Sequence, residues 1–211
     1  MGRWWQWMGW GVLALGLSAG CSPSHNWRQV RPEGAPLVAL MPCKPERAER
    51  EVSLLGPGQP VVRLQMMSCE VQGRTYAVAA LALPPGLAAD VAAQAWLRAT
   101  WASLKQVPAP GSTVPAGWAA HWPPPPGGGD SPPAFPADVP GATVLGSPVP
   151  ARWPGLVQHW HGPGVDHRGR LLRADVAWWA APGWMAQAAV YAAQPDAETV
   201  QTMFESVRLS P

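Results

Sequence analysis

Proline and glycine decide what this chain can build. The 211 residues include 27 Pro and 22 Gly, and both residues interrupt helices, while Pro also removes a donor from any strand ladder. They leave two windows suited to helices. Gly86–Gln106 is Ala-rich and free of Pro and internal Gly, with Asp90, Gln94 and Arg98 spaced by four as one polar stripe. Val91, Ala95, Ala99 and Ala102 line a neighbouring face. In Asp196–Leu209, Val200, Met203, Phe204 and Val207 fall at i, i+3, i+4 and i+7. Asp196 near its start and Arg208 near its end suit the helix dipole.

The other apolar runs read as strands. Leu37–Met41, Glu49–Leu55, Val61–Cys69 and Thr75–Leu83 precede the first helix, separated by Pro42-Cys43-Lys44-Pro45, Gly56-Pro57-Gly58 and Gln72-Gly73. Four close strands with short turns predict an antiparallel meander. Leu156–His161, Arg170–Ala180 and Gly183–Ala193 follow later, with Gly162-Pro163-Gly164 and Pro182-Gly183 as the turns between them. Residues 107–155 carry about half of the prolines, include Pro123–Pro126 followed by Gly127–Gly129, and show no periodicity. A segment of that length predicts a disordered Pro/Gly-rich insertion. The order implies an α+β domain in two parts, 36–106 and 156–211: an antiparallel sheet of about six to seven strands flanked by two helices.

Hydrophobic residues at 47% suffice for a core, and a formal charge of +2 gives no basis for a nucleic-acid partner. The 14 Trp stand beside two Lys (Lys44, Lys105), one Asn (Asn26) and no Ile. Trp, Pro, Gly, Ala and Arg have GC-rich codons, so genome composition accounts for the tryptophans without a ring-stacking surface.

The amino terminus carries the most specific signal. Arg3 and the terminal amine form a positive region, Gly11–Leu17 is uncharged and apolar, and Ser18-Ala19-Gly20-Cys21 follows. This resembles the lipobox of bacterial lipoproteins, in which small residues fit a narrow protease site and the cysteine thiol receives the diacylglyceryl group. The resemblance implies a signal peptide over 1–20, then a lipidated Cys21 and tether over 21–35. It implies anchoring of the mature chain to a membrane through that lipid, with palmitate among its expected acyl groups. Ser22, where aspartate commonly retains lipoproteins at the inner membrane, resembles the outer-membrane type facing the periplasm; the inner membrane is the alternative. An uncleaved helix over Trp4–Gly20 would span about 26 Å, short of a bilayer core of roughly 30 Å. Gly16-Leu17-Ser18-Ala19-Gly20 also matches G-x-S-x-G, but a nucleophile elbow needs a strand before it and a helix after it.

Cys43 and Cys69 remain once Cys21 is lipidated. Export and an even thiol count predict a disulfide between them, which would set the strand entering Cys43 beside the strand ending at Cys69. His159 and His161 share one face of a strand. With Asp166 and His167 folded back past Gly162-Pro163-Gly164, they would converge as weak metal candidates. The competing reading makes them ordinary surface histidines, and no metal site is assigned. The sequence holds no phosphate loop, dinucleotide fingerprint or spaced carboxylate pair, so no catalytic residue and no cofactor is expected.

A short apolar strand, the Pro42-Cys43-Lys44-Pro45 corner, a hairpin, a helix, more strands and a closing Phe204-Glu205-Ser206-Val207-Arg208-Leu209 together resemble the PsbP-like family of α/β/α sandwiches. The resemblance spans most of 36–209, interrupted by the insertion. It implies a non-enzymatic assembly or stabilising factor of a membrane-bound complex. The leading expectation is thus a membrane-tethered interaction module of the cell envelope with a protein partner there. The alternatives are a metal-binding protein or enzyme using His159, His161 and His167, and a carrier of an apolar ligand.

Overall fold

Two tight hairpins organise the main sheet. The computed structural model describes residues 25–54, 60–120 and 155–209. Gln72 and Gly73, at φ 53° and 70°, reverse the chain from β4 (Val62–Val71) to β5 (Arg74–Ala82). Two successive positive φ angles match the twist of the flanking strands. Pro182, with its fixed negative φ, and Gly183 at φ 72° make the turn from β8 (Leu171–Ala181) to β9 (Trp184–Ala192). β5 and β9 then pair antiparallel, joining the two halves of the chain.

With β3 (Glu46–Val52), β6 (Ala119–Ala120) and β7 (Leu156–Val165), the seven-stranded sheet runs β3-β4-β5-β9-β8-β7-β6, antiparallel throughout. Helix α1 (Ala89–Ser103) lies on one face and α2 (Ala197–Glu205) on the other. This is the α+β sandwich that the run order predicts.

The expected four-strand meander has three strands. β2 (Leu37–Met41) leaves the main sheet and pairs instead with β1 (Arg28–Val30) and β10 (Arg208–Leu209). Pro42 and Pro45 prevent a continuous ladder, so the chain changes layer at that corner before β3 begins. Leu37, Ala39 and Met41 alternate inward onto the main sheet. β1 falls inside the expected tether over 21–35, so the domain begins earlier than the composition shift suggests.

Both helices bury an apolar face. In α2 the predicted stripe of Val200, Met203 and Phe204, continued by Val207 just beyond it, is buried. Asp196 caps the helix by accepting from the Thr199 N–H at 3.2 Å. In α1 the buried residues are Ala92, Ala93, Ala95, Trp96, Leu97, Thr100 and Trp101, so of the expected face Ala95 is buried, whereas Val91, Ala99 and Ala102 are exposed. The rings of Trp96 and Trp101 carry far more apolar area than alanines, and they set the orientation.

Gly162-Pro163-Gly164 is strand, not turn. Its residues pair with Ala174, Arg173 and Leu172 of β8. A Cβ on Gly162 would lie 2.5 Å from the Trp118 ring, and one on Gly164 would lie 3.1 Å from Leu104. The glycines allow those side chains to lie on the strand. Trp118 is also fixed by its Nε1–H, which donates to the Pro163 carbonyl at 2.9 Å. The stretch 107–120, expected to begin the disordered insertion, therefore docks through buried Trp118 and adds β6 beside β7. Residues 121–154 lie outside the described residues.

Gly162→Ala should destabilise the fold by about 1–3 kcal/mol, the usual cost of overpacking. Denaturant titration of the Trp118→Ala background should find most of that cost gone, because the two sites share one contact.

Candidate functional site

Cys43 and Cys69 are joined in a disulfide, with Cα atoms 6.0 Å apart. The strand beside β4 is β3, which leaves the Cys43 corner, and not β2, which enters it: Glu46 pairs with Ser68. The bridge thus ties the layer-changing corner to the main sheet. Close by, the Asn26 N–H donates to the Pro42 carbonyl at 2.8 Å. The described chain therefore enters the domain beside the disulfide. Cys21 lies outside the described residues.

His159 and His161 share β7, two residues apart, and His167 is not brought to them. His159 is buried, its ring 5.2 Å from Phe204 at 77° beneath α2. Its Nε2 lies 3.8 Å from Asp175 Oδ1. His161 is half-buried and stands opposite Asp175 in register. His167 is exposed at the tip of the β7–β8 hairpin. Because Gly162-Pro163-Gly164 continues the strand at about 3.3 Å per residue, His167 is carried away from His159 and His161 instead of folding back over them. Among the described residues no group of three or more His, Cys, Asp or Glu is arranged to hold a metal ion. Asp175 was missed in the sequence. Placing the turn at Asp166–Gly169 would have found it, since that register sets it opposite His161.

Asp166 builds the hairpin tip. Its Oδ1 accepts from the Arg168 and Arg170 N–H groups, each at 2.8 Å, and its Oδ2 accepts from Arg170 Nε at 2.7 Å. The Arg170 backbone bond above all, then the Arg170 side chain and the Arg168 backbone, hold its carboxyl down at about 2. The tip projects: the last β8–β9 pair is Arg173↔Ala192, whereas β7 and β8 continue to Val165↔Leu171. The end of α1 joins it, since the Val165 N–H donates to the Leu104 carbonyl at 3.0 Å. There Lys105 sits at φ 56°, and the Gln106 N–H returns to the Trp101 carbonyl in a Schellman-type closure.

Two tests follow from these contacts. Removing the bridge as Cys43→Ala/Cys69→Ala should cost roughly 3–4 kcal/mol for a loop of this length, read as a lowered unfolding midpoint. A carboxylate whose pKa is depressed on folding stabilises above its unfolded value and loses that effect as pH falls through the folded one. The Asp166 carboxyl should accordingly titrate near pH 2 by NMR, and protection of the Arg168 and Arg170 amides should fall between about pH 4 and 2. A midpoint near 4 would contradict the bonded tip.

A search of protein-family models, curated proteins and solved structures finds no match to this chain.

Proposed function

We propose that this chain is a non-catalytic lipoprotein of the bacterial cell envelope, held at the periplasmic face of the outer membrane by lipid on Cys21. It serves there as an interaction or assembly module for an envelope protein partner. The partition of the three cysteines carries this reading. Cys43 and Cys69 are bonded to each other, a pairing that belongs to an oxidising compartment. That leaves Cys21 at the end of the lipobox-like segment.

The PsbP-like resemblance supports the second half of the proposal. Its two most recognisable pieces, the strand before Pro42-Cys43-Lys44-Pro45 and the closing run 204–209, meet in space. Arg208 and Leu209 pair with Val38 and Leu37, and Ser206 Oγ accepts from the Leu40 N–H at 2.7 Å. A factor that holds a membrane complex together needs a stable surface near the bilayer more than a reactive group, and a disulfide-tied sandwich on a short tether supplies one.

The test is Cys21→Ser expressed in a lipoprotein-processing bacterium with labelled fatty acid. The variant should accumulate as unprocessed precursor with no label, whereas the parent is labelled. A variant that still matures and takes up label would remove the basis of the proposal.

A further inference from the structure

Leu171 and Val107, at 80% and 79% exposure, are the most exposed large hydrophobic side chains among the described residues. A single exposed leucine needs no explanation. Here, however, both sit at one corner of the molecule. Leu171 pairs with Val165 in the projecting β7–β8 hairpin, and Val165 is bonded to Leu104, from which the chain runs on to Val107. Around them stand Lys105, Arg168, Arg170 and Arg173, all exposed. Asp166 is the acid within 104–107 and 165–173, and its carboxylate is already held by Arg170 and the tip amides. Lys105 occupies a left-handed position that glycine fills more cheaply.

This corner lies at the end of the sheet where the described chain enters. Cys69, tied to the entry corner through Cys43, pairs with Tyr76, which pairs with Val190, which pairs with Asp175. Three strand spacings of about 4.8 Å separate that point from β8. The hairpin extends roughly 10 Å past the last β8–β9 pair at about 3.3 Å per residue. From the level of Cys69, aligned with Asp175, the tip lies roughly 17 Å away at about 3.3 Å per residue. The segment from Cys21 to Asn26 reaches about 17 Å when extended, so a bilayer holding Cys21 meets the tip with the tether extended.

We propose that the β7–β8 tip and the exit of α1 form a membrane-contact surface for an anionic phospholipid bilayer. Lys105, Arg168, Arg170 and Arg173 lie against lipid phosphates, and Leu171 and Val107 enter the headgroup layer. The orientation rests on the Cys21 anchor proposed above; the lipid chemistry rests on the corner itself. Exposed apolar side chains among cations favour a bilayer over a soluble polyanion, which offers nothing for leucine to enter.

The experiment uses the lipid-free chain of residues 22–211, since all the described elements and both cores lie within 25–209. Its co-sedimentation is measured with phosphatidylglycerol-containing vesicles and with phosphatidylcholine vesicles. The wild-type chain should partition preferentially onto the anionic vesicles and be released as salt rises from roughly 0.05 to 0.5 M. Arg168→Glu/Arg173→Glu should lower the partition coefficient by about tenfold or more, and Leu171→Asp should also weaken it, with melting curves unchanged. Equal binding to both vesicle types, or variants that bind like the wild type, would overturn the proposal. So would loss in the arginine variant with none in Leu171→Asp, which marks a polyanion site instead. Fatty-acid labelling of Cys21 is read separately: if labelling fails while vesicle binding holds, the anchor falls and this surface stands.

Discussion

The pairing of β5 with β9 is the contact on which the rest of the sandwich depends. It runs from Thr75↔Tyr191 to Ala82↔Trp184 and joins the meander before α1 to the meander after it. The seam is rich in alanine: Ala77 pairs with Ala189 and Ala80 with Ala186, while Ala79 stands opposite Gln187 and Ala188 opposite Val78. Small side chains leave the middle of the sheet low, and large ones from the covering layers fill the space to interior density. Trp96 and Trp101 do so beneath α1, and Met203 and Phe204 beneath α2. Each ring removes about 150–250 Å² from water, several times what an alanine of the seam contributes.

Apolar burial has no direction, so it does not by itself fix where α1 lies along the sheet. A polar row does. Gln158, Trp178 and Gln187 stand side by side on β7, β8 and β9. Gln187 donates to Thr100 Oγ1 at 3.2 Å, and Gln158 Oε1 accepts from Trp160 Nε1 at 3.2 Å and Gln94 Nε2 at 3.4 Å. Sliding α1 by a turn would separate Thr100 from Gln187 and Gln94 from Gln158 and leave the buried Gln187 amide without its acceptor, a penalty of about 1–3 kcal/mol. The tryptophans therefore supply the cohesion of this layer and the glutamines supply its register. Among the described residues, Trp96, Trp101, Trp118, Trp160 and Trp178 are all buried in this layer.

What the sequence made legible was local. The α2 stripe, the Gln72-Gly73 and Pro182-Gly183 hairpins and the Cys43–Cys69 bridge each follow from residues close together or from chemistry with one outcome. What stayed hidden depended on partners far along the chain. Gly162-Pro163-Gly164 has the composition of a turn, and its strand conformation makes sense only once Trp118 and Leu104 are seen lying on it. That misplaced turn also created the imagined approach of His167 to His159 and His161. β3 reads poorly as a strand because Glu46-Arg47-Ala48-Glu49-Arg50-Glu51 is exposed along its length. Charges on such an edge discourage pairing with another chain, so the missing alternation is itself the edge signal. Its ion pair, Glu49 with Arg63 at 3.3 Å, is exposed and contributes roughly 0–1 kcal/mol.

Placement of the disulfide decides how the domain bears load from its amino-terminal side. β1 is three residues long and pairs with β2 alone, and β2 belongs to the small sheet. Without a further link, a pull upstream of His25 would act on a short antiparallel pair that opens one hydrogen bond at a time. Asn26 adds one hydrogen bond, to the Pro42 carbonyl, and the adjacent Cys43 is bonded to Cys69 inside β4. Force reaching Pro42 passes through a covalent bond into a strand paired on both sides, to β3 and to β5. Opening that strand would require many hydrogen bonds to break together. The corner that removes β2 from the main sheet is thus the same corner through which the main sheet holds the amino-terminal segment.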